Sequence, residues 1–129
     1  MNSVQILGNL ARDPEVRYTK TGKAVASFTI AATNTYTDSE GVAKEQTAFI
    51  NCVAWGKVGE QVGNYKKGNR LFLEGRIQTR SYETQDNQKR YVTEVVAGFV
   101  GVSALNDAAT ESNFDNFADD KGNDENIPF

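Results

Sequence analysis

Histidine is absent from the 129 residues, and cysteine occurs once, as Cys52. The first absence removes the commonest general base and metal ligand, together with any Ser-His or Cys-His dyad. The second excludes a disulfide framework and a zinc site built from soft donors. No run of 18 apolar residues occurs, so no membrane-spanning helix is expected. The opening Met1-Asn2-Ser3-Val4 lacks a basic stretch leading into an apolar one, so no secretion signal is expected. With one thiol and no export signal, the expected setting is the cytoplasm. Carboxylates at metal-ligand spacing are missing from residues 1–106, which counts against a metal-dependent nuclease. No cofactor and no metal are expected.

Positive charge is also in short supply: 14 bases face 17 acids, a net charge of −3. The balance is uneven along the chain. Residues 107–129 carry seven acids against the single base Lys121, a net −6, which leaves residues 1–106 at +3. A mildly basic domain and a strongly acidic tail are thus averaged in the whole-chain charge.

The composition changes near Asn106. Beyond it Asn, Asp, Ala, Ser and Gly dominate, with isolated Phe114 and Phe117 and no apolar period. Such a stretch buries too little surface to offset its ordering entropy, so 107–129 is expected to be disordered, the alternative being a short acidic helix. Before Asn106 the pattern is mostly β. Val4 to Leu10 reads as a first strand, closed by Asp13-Pro14, and Glu15 to Tyr18 resumes an extended run. Lys20-Thr21-Gly22 reads as a hairpin turn. Ala26, Phe28 and Ile30 alternate with Ser27 and Thr29 in a second strand. After a turn at Asp38 to Gly41, Thr47–Trp55, Arg70–Tyr82 and Tyr91–Val100 read as strands three, four and five. Val58, Val62 and Tyr65 stand at helical spacing in Lys57–Tyr65, with Lys66-Lys67-Gly68 as a basic last turn and glycine stop. Five strands with a helix between the third and fourth is the order of the OB-fold, an all-β Greek-key barrel.

The third strand carries the most information. Phe49, Asn51, Val53 and Trp55 share one face, and Ile50, Cys52 and Ala54 the other. Small apolar side chains suit a barrel interior, which makes Cys52 a buried hydrophobe and sends two large aromatics outward. In the fourth strand Leu71, Leu73, Gly75 and Ile77 are expected inside, with Arg76, Gln78, Arg80 and Tyr82 outside. Tyr36 adds an aromatic near a hairpin tip. Exposed rings beside cationic side chains suit the unpaired bases of a single strand, which offer π-faces whatever their identity. Taken singly, each ring could equally fill a core or an oligomer interface. A domain at +3 is too weakly charged to hold nucleic acid by phosphate attraction alone, so stacking has to supply much of the affinity.

Several segments, in order across residues 1–105, carry a family likeness. They are Ile6-Leu7-Gly8-Asn9-Leu10, Asp13-Pro14-Glu15-Val16-Arg17-Tyr18, Glu45-Gln46-Thr47, Trp55-Gly56-Lys57, Glu74-Gly75-Arg76 and Arg90-Tyr91-Val92-Thr93-Glu94-Val95. With them the chain resembles the bacterial and phage single-stranded-DNA-binding protein family. The resemblance implies an OB-fold domain over 1–106, stacking by Tyr36, Phe49, Trp55 and Tyr82, and phosphate contacts by Lys57, Lys67, Arg80 and Arg90. Strand parity adds Arg76 to the phosphate set. Only Trp55 among the stacking positions is an indole, where relatives use tryptophan at several. Asn51 stands where relatives often carry a base, as a polar DNA contact. The resemblance further implies a homotetramer wrapped by DNA, and a non-catalytic, sequence-independent coat for single strands in replication, recombination and repair.

The end of the chain completes the likeness. Asp124, Glu125, Asn126, Ile127, Pro128 and Phe129 resemble the family's acidic Ile-Pro-Phe ending, with Asn126 in place of an acid. The resemblance implies a tip, 124–129, that recruits partner proteins, on a short flexible linker, 107–123. Physically the tip offers an apolar plug, a free carboxylate and acids to steer it toward a basic rim. By composition alone an acidic tail could equally serve solubility. A flexible chain of roughly 20 residues spans about 25 Å, so the tip is expected to work close to the barrel. Two other readings keep the barrel or the acids: an RNA-binding or replication-restart OB-fold, and a nuclease.

Overall fold

Alternation of apolar and polar residues builds the fold strand by strand. The structure, a computed structural model, describes residues 1–102; the boundary at 106, the linker and the tip lie outside the described residues. β1 (Val4–Leu10) buries Ile6, Gly8 and Leu10, and β3 (Ala24–Thr37) buries Ala24, Ala26, Phe28 and Ile30. β4 (Ala43–Trp55) buries Cys52 and Ala54, and β5 (Arg70–Glu83) buries Leu71 and Leu73. β6 (Lys89–Val102) buries Glu94 to Ala97 in succession, then Val100. Inward side chains from all five strands meet in one core centred on Leu10, Phe28, Ile30, Leu71 and Leu73.

The short β2 (Glu15–Tyr18) pairs with Ala24–Ser27 of β3, while β1 pairs with Ile30 and Ala31 of the same strand. β1 and β2 are therefore successive segments along one edge of β3, with Asp13-Pro14 between them. The remaining pairings are antiparallel, β1 with β5, β5 with β6 and β3 with β4, until β4 meets β6 in parallel over Cys52–Ala54 and Val95–Ala97. That last pairing closes a five-stranded OB-fold barrel, as the strand order led one to expect, and closure removes the open sheet edges.

Between β4 and β5, α1 (Gly56–Val62) plugs one end with Val62, which is fully buried. Gly59 lies so near β4 that a Cβ there would sit 2.6 Å from the Ala54 carbonyl oxygen. The helix is shorter than its spacing suggested and has no basic residue in its last turn. The chain leaves it at Gly63 because β1 captures the segment leading into β5. Gly68 donates to the Leu10 carbonyl at 2.8 Å, and Leu10 donates to Asn69 at 2.9 Å. Gly68 therefore serves a separate turn, at φ +91°, rather than ending the helix.

Strands β3 and β4 run longer than expected, as do β5 and β6, and both hairpins project as arms beyond the barrel. This corrects the expected burial of Ile77. It has the same parity as Leu71 and Leu73, yet it is exposed, because β1 accompanies β5 only from Arg70 to Gly75. Ile77 still faces the core side, opposite the buried Val95, but it stands at the open rim, lining an apolar recess with Val4, Ile6 and Ile50. The arm is pinned at its base by Asn2, whose side-chain amide donates to the Ile77 carbonyl at 2.7 Å and accepts from its N–H at 2.9 Å. Register also shifts here: Glu74 faces Phe99 and Gly75 faces Ala97, so Gly98 of β6 is an extra residue.

The two glycines at this bulge do different work. A Cβ on Gly75 would lie 2.1 Å from the Val96 carbonyl oxygen, whereas one on Gly98 meets nothing nearer than 3.9 Å. Gly75→Ala is expected to cost about 3 kcal/mol by overpacking against backbone. Gly98→Ala should be neutral or stabilising by up to about 1 kcal/mol, through unfolded-state entropy. Urea unfolding of the two variants checks the ranking.

Candidate nucleic-acid interface

β4 is the floor of the candidate site. Phe49, Asn51 and Trp55 are exposed on its outer face while Cys52 and Ala54 are sealed inside, in agreement with the strand's alternation. Register extends that face across the sheet. Trp55 lies opposite Val25, which lies opposite Arg17 of β2, and Val53 lies beside Val96 of β6. The β5–β6 arm rises from the other side carrying Gln78, Arg80 and Glu94. Together these elements enclose an open groove of about 450 Å³, lined by Arg17, Tyr18, Trp55, Gln78, Arg80 and Glu94 among others.

The groove's charges are paired. Glu94 is only 7% exposed, and its Oε1 accepts from Arg80 Nε at 2.8 Å and Gln78 Nε2 at 2.9 Å. Burial pushes its carboxyl upward, but the hydrogen bonds from Arg80 and Gln78 and the guanidinium charge outweigh it, so it sits below the usual carboxylate range. Arg17 donates to Glu15 Oε1 at 2.7 Å, with both side chains open to water. Lys23 stacks its ammonium over the Trp55 ring, 5.6 Å from the centroid. The site therefore offers a π-surface and donors in near-balanced charge, with Lys23 as an added cation.

The expected stacking residues are all substantially exposed: Tyr36 48%, Phe49 69%, Trp55 43% and Tyr82 46%. They are not one cluster. Trp55 lines the groove, Phe49 lies six residues along the same face, and Tyr82 sits opposite Arg90 far out on the β5–β6 arm. Tyr36 faces Lys44 near the tip of the β3–β4 arm, on the opposite parity from Phe49. Asn51 accepts from the Thr29 hydroxyl at 3.1 Å. Among the expected cations only Arg80 lines the groove. Arg76 lines a separate recess with Asn2 and Phe99, and Lys57 opens α1. Lys67 sits in the loop before β5, its N–H held by Asp13 Oδ1 at 2.8 Å.

Tyr18, Arg17, Lys23, Gln78 and Glu94 were not singled out as site residues from sequence. For Lys23 a signal existed, since it is two residues before Val25, the partner of Trp55. For Glu94 the only signal was its place in the family-like segment Arg90 to Val95, since an acid on a polar-parity position otherwise reads as ordinary surface. Among the described residues, no group of three or more Cys, Asp or Glu is placed to hold a metal ion.

An exposed aromatic face on an OB-type barrel defines the class, an oligomer-binding module rather than a catalytic pocket. Comparison with known proteins makes this specific. The Single-strand binding protein family matches residues 1–103, and the chain belongs to that family. "Single-stranded DNA-binding protein 2" of Listeria monocytogenes is 42% identical over 130 residues, covering 97% of this chain and 80% of the relative. "Single-stranded DNA-binding protein A" of Bacillus subtilis is 47% identical over 98 residues, covering 75% of this chain and 56% of its own. A crystal structure of a deletion mutant of the single-stranded DNA binding protein from Thermus aquaticus superposes with a TM-score of 0.73 at 28% identity, over 82% of this chain and 52% of that one. Membership sets the chain among binding proteins and not among enzymes.

Cys52 lies directly beneath this face, 2% exposed. Burial, with a further contribution from the Glu94 carboxylate, pushes its thiol up to about 12 from an ordinary 9.0. A disulfide reagent such as DTNB at pH 8 should therefore label Cys52 only as fast as the protein unfolds. The unfolded thiol ionises first, so stability should fall progressively as pH rises from about 9 toward 12. Labelling kinetics and urea midpoints across pH measure both.

Proposed function

We propose that this chain binds and protects single-stranded DNA without sequence preference, using stacking more than charge. The groove beneath Trp55 carries the reading: an exposed indole flanked by Arg17 and Arg80, each already paired with a glutamate. Phe49 continues the stacking face and Tyr82 extends it along the β5–β6 arm, while Tyr36 offers a further ring on the other side of the β3–β4 arm. Arg80 contacts phosphate, with Lys57, Lys67, Arg76 and Arg90 as further phosphate contacts and Asn51 as a polar one. The names of the relatives support DNA rather than RNA as the ligand. The role is that of a cytoplasmic, nucleoid-associated coat during replication, recombination and repair.

The protein acts as a homotetramer. The exposed apolar face of β1, β5 and β6 supports an oligomer, with Leu7, Phe72 and Phe99 uncovered and the two phenylalanine rings 6.4 Å apart, edge to face. The tip, Asp124 to Phe129, recruits replication, recombination and repair proteins. Its removal is expected to leave strand affinity intact while abolishing binding to such a partner, as measured by calorimetry.

Titrating Trp55 fluorescence with poly-dT, duplex DNA and RNA over a salt series tests the reading. Poly-dT should quench strongly and duplex weakly, with a shallow salt dependence of about 0.7 in log–log slope per phosphate contact. An equal duplex response would rule the reading out. Trp55→Ala and Phe49→Ala, read by the anisotropy of dye-labelled oligo-dT because Trp55 is the chain's only tryptophan, should each weaken binding by about tenfold or more. That follows from stacking worth ~1–3 kcal/mol per base, a range taken from strand-binding OB-folds of this same type. Lys57→Ala should have a smaller effect.

A further inference from the structure

A carboxylate almost withdrawn from water, on the face that is to meet a polyanion, needs an explanation. Glu94 is that group. Its parity matches Gln78 on β5, directly opposite in register, and Arg80 reaches it from two residues further along. The pair is asymmetric: Glu94 is 7% exposed and the Arg80 side chain 53%. Glu94 engages Arg80 through Nε alone, and among the described residues the two terminal guanidinium nitrogens have no partner. The guanidinium is thus gripped from behind, its outer edge free to donate to a phosphate oxygen.

The same contact removes charge. Arg17 is balanced by Glu15 in an exposed pair, which water and salt loosen easily. Arg80 is balanced by a buried carboxylate held by two hydrogen bonds, a pair that water, salt and an arriving phosphate displace less easily. A phosphate on the outer edge of Arg80 then sits close behind a fixed negative charge and binds less firmly than it would to a lone arginine.

We propose that Glu94 is a positioning and charge-limiting residue of the strand groove, orienting Arg80 toward phosphate while restraining the affinity of that contact. The proposal rests on the groove binding single strands. It explains why stacking dominates at this site, and it predicts a protein that releases its strand readily.

The test is a cycle of Glu94→Gln, Arg80→Gln and the double variant, titrated with oligo-dT by Trp55 fluorescence at several salt concentrations. Glutamine keeps an acceptor for Arg80 Nε and removes only charge. Glu94→Gln should bind about tenfold more tightly at low salt, with a log–log slope steeper by about 0.7, the equivalent of one further full phosphate contact. Arg80→Gln should weaken binding and flatten the slope, and the double variant should bind more tightly than Arg80→Gln alone. An unchanged slope or weaker binding in Glu94→Gln overturns the proposal, as does a double variant no tighter than Arg80→Gln. Should Glu94→Gln fail to fold for want of its partner charge, the double variant, which removes the pair together, still decides the matter. Failure of the parent protein to bind oligo-dT would instead refute the proposed function.

Discussion

Three residues of parallel pairing, Cys52–Ala54 against Val95–Ala97, hold the rest of the structure in place. Parallel ladders are somewhat weaker per residue than antiparallel ones, and this one is short. Yet it alone joins the half of the barrel built on β3 and β4 to the half built on β5 and β6 along the side that carries the groove. Small side chains make it possible: Cys52, Ala54 and Ala97 are all buried with little bulk, and Gly75 lets Val96 approach within a distance no Cβ would tolerate. The extra residue at Gly98 then turns the β5–β6 arm. Trp55 comes from one half, Arg80 and Glu94 from the other, and closure makes them neighbours.

Charge depends on that geometry. The acidic tail makes the whole chain look unlike a partner for nucleic acid, and subtracting it leaves a domain at only +3. The structure extends the same economy to the groove itself, where both arginines have glutamate partners at 2.7 and 2.8 Å. On the proposed reading, aromatic surface therefore outweighs net charge. An indole with a lysine ammonium at 5.6 Å is the kind of surface that the proposed sequence-independent stacking requires.

Much of this was legible in single residues. The period of two in 47–55 placed Phe49 and Trp55 outside and Cys52 inside, because a half-buried strand has only two faces. It misled on the burial of Ile77, because parity states which side a residue faces and says nothing of how far the cover over that side extends along the strand. The helix was found but drawn too long, since Tyr65 keeps the spacing while hydrogen bonds between Gly68, Asn69 and Leu10 draw the backbone away. The four rings proposed to stack were legible as exposed aromatics, though their spread over a groove and two arms was not.

Local chemistry by itself therefore determined the barrel, the outward aromatics, the burial of Cys52 and the contrast between basic domain and acidic tail. Each depends on residue type and short-range periodicity, which the chain displays directly. Only the tertiary structure decided that Tyr18, Arg17 and Trp55 share a groove with Arg80, and that Arg80 answers to Glu94. Those neighbours lie up to 77 positions apart along the chain, from Arg17 to Glu94, and are brought together by register and closure. An acid on the polar side of a strand reads the same whether it stands in water or beneath an arginine. The depth of Glu94 is set by what closes over it.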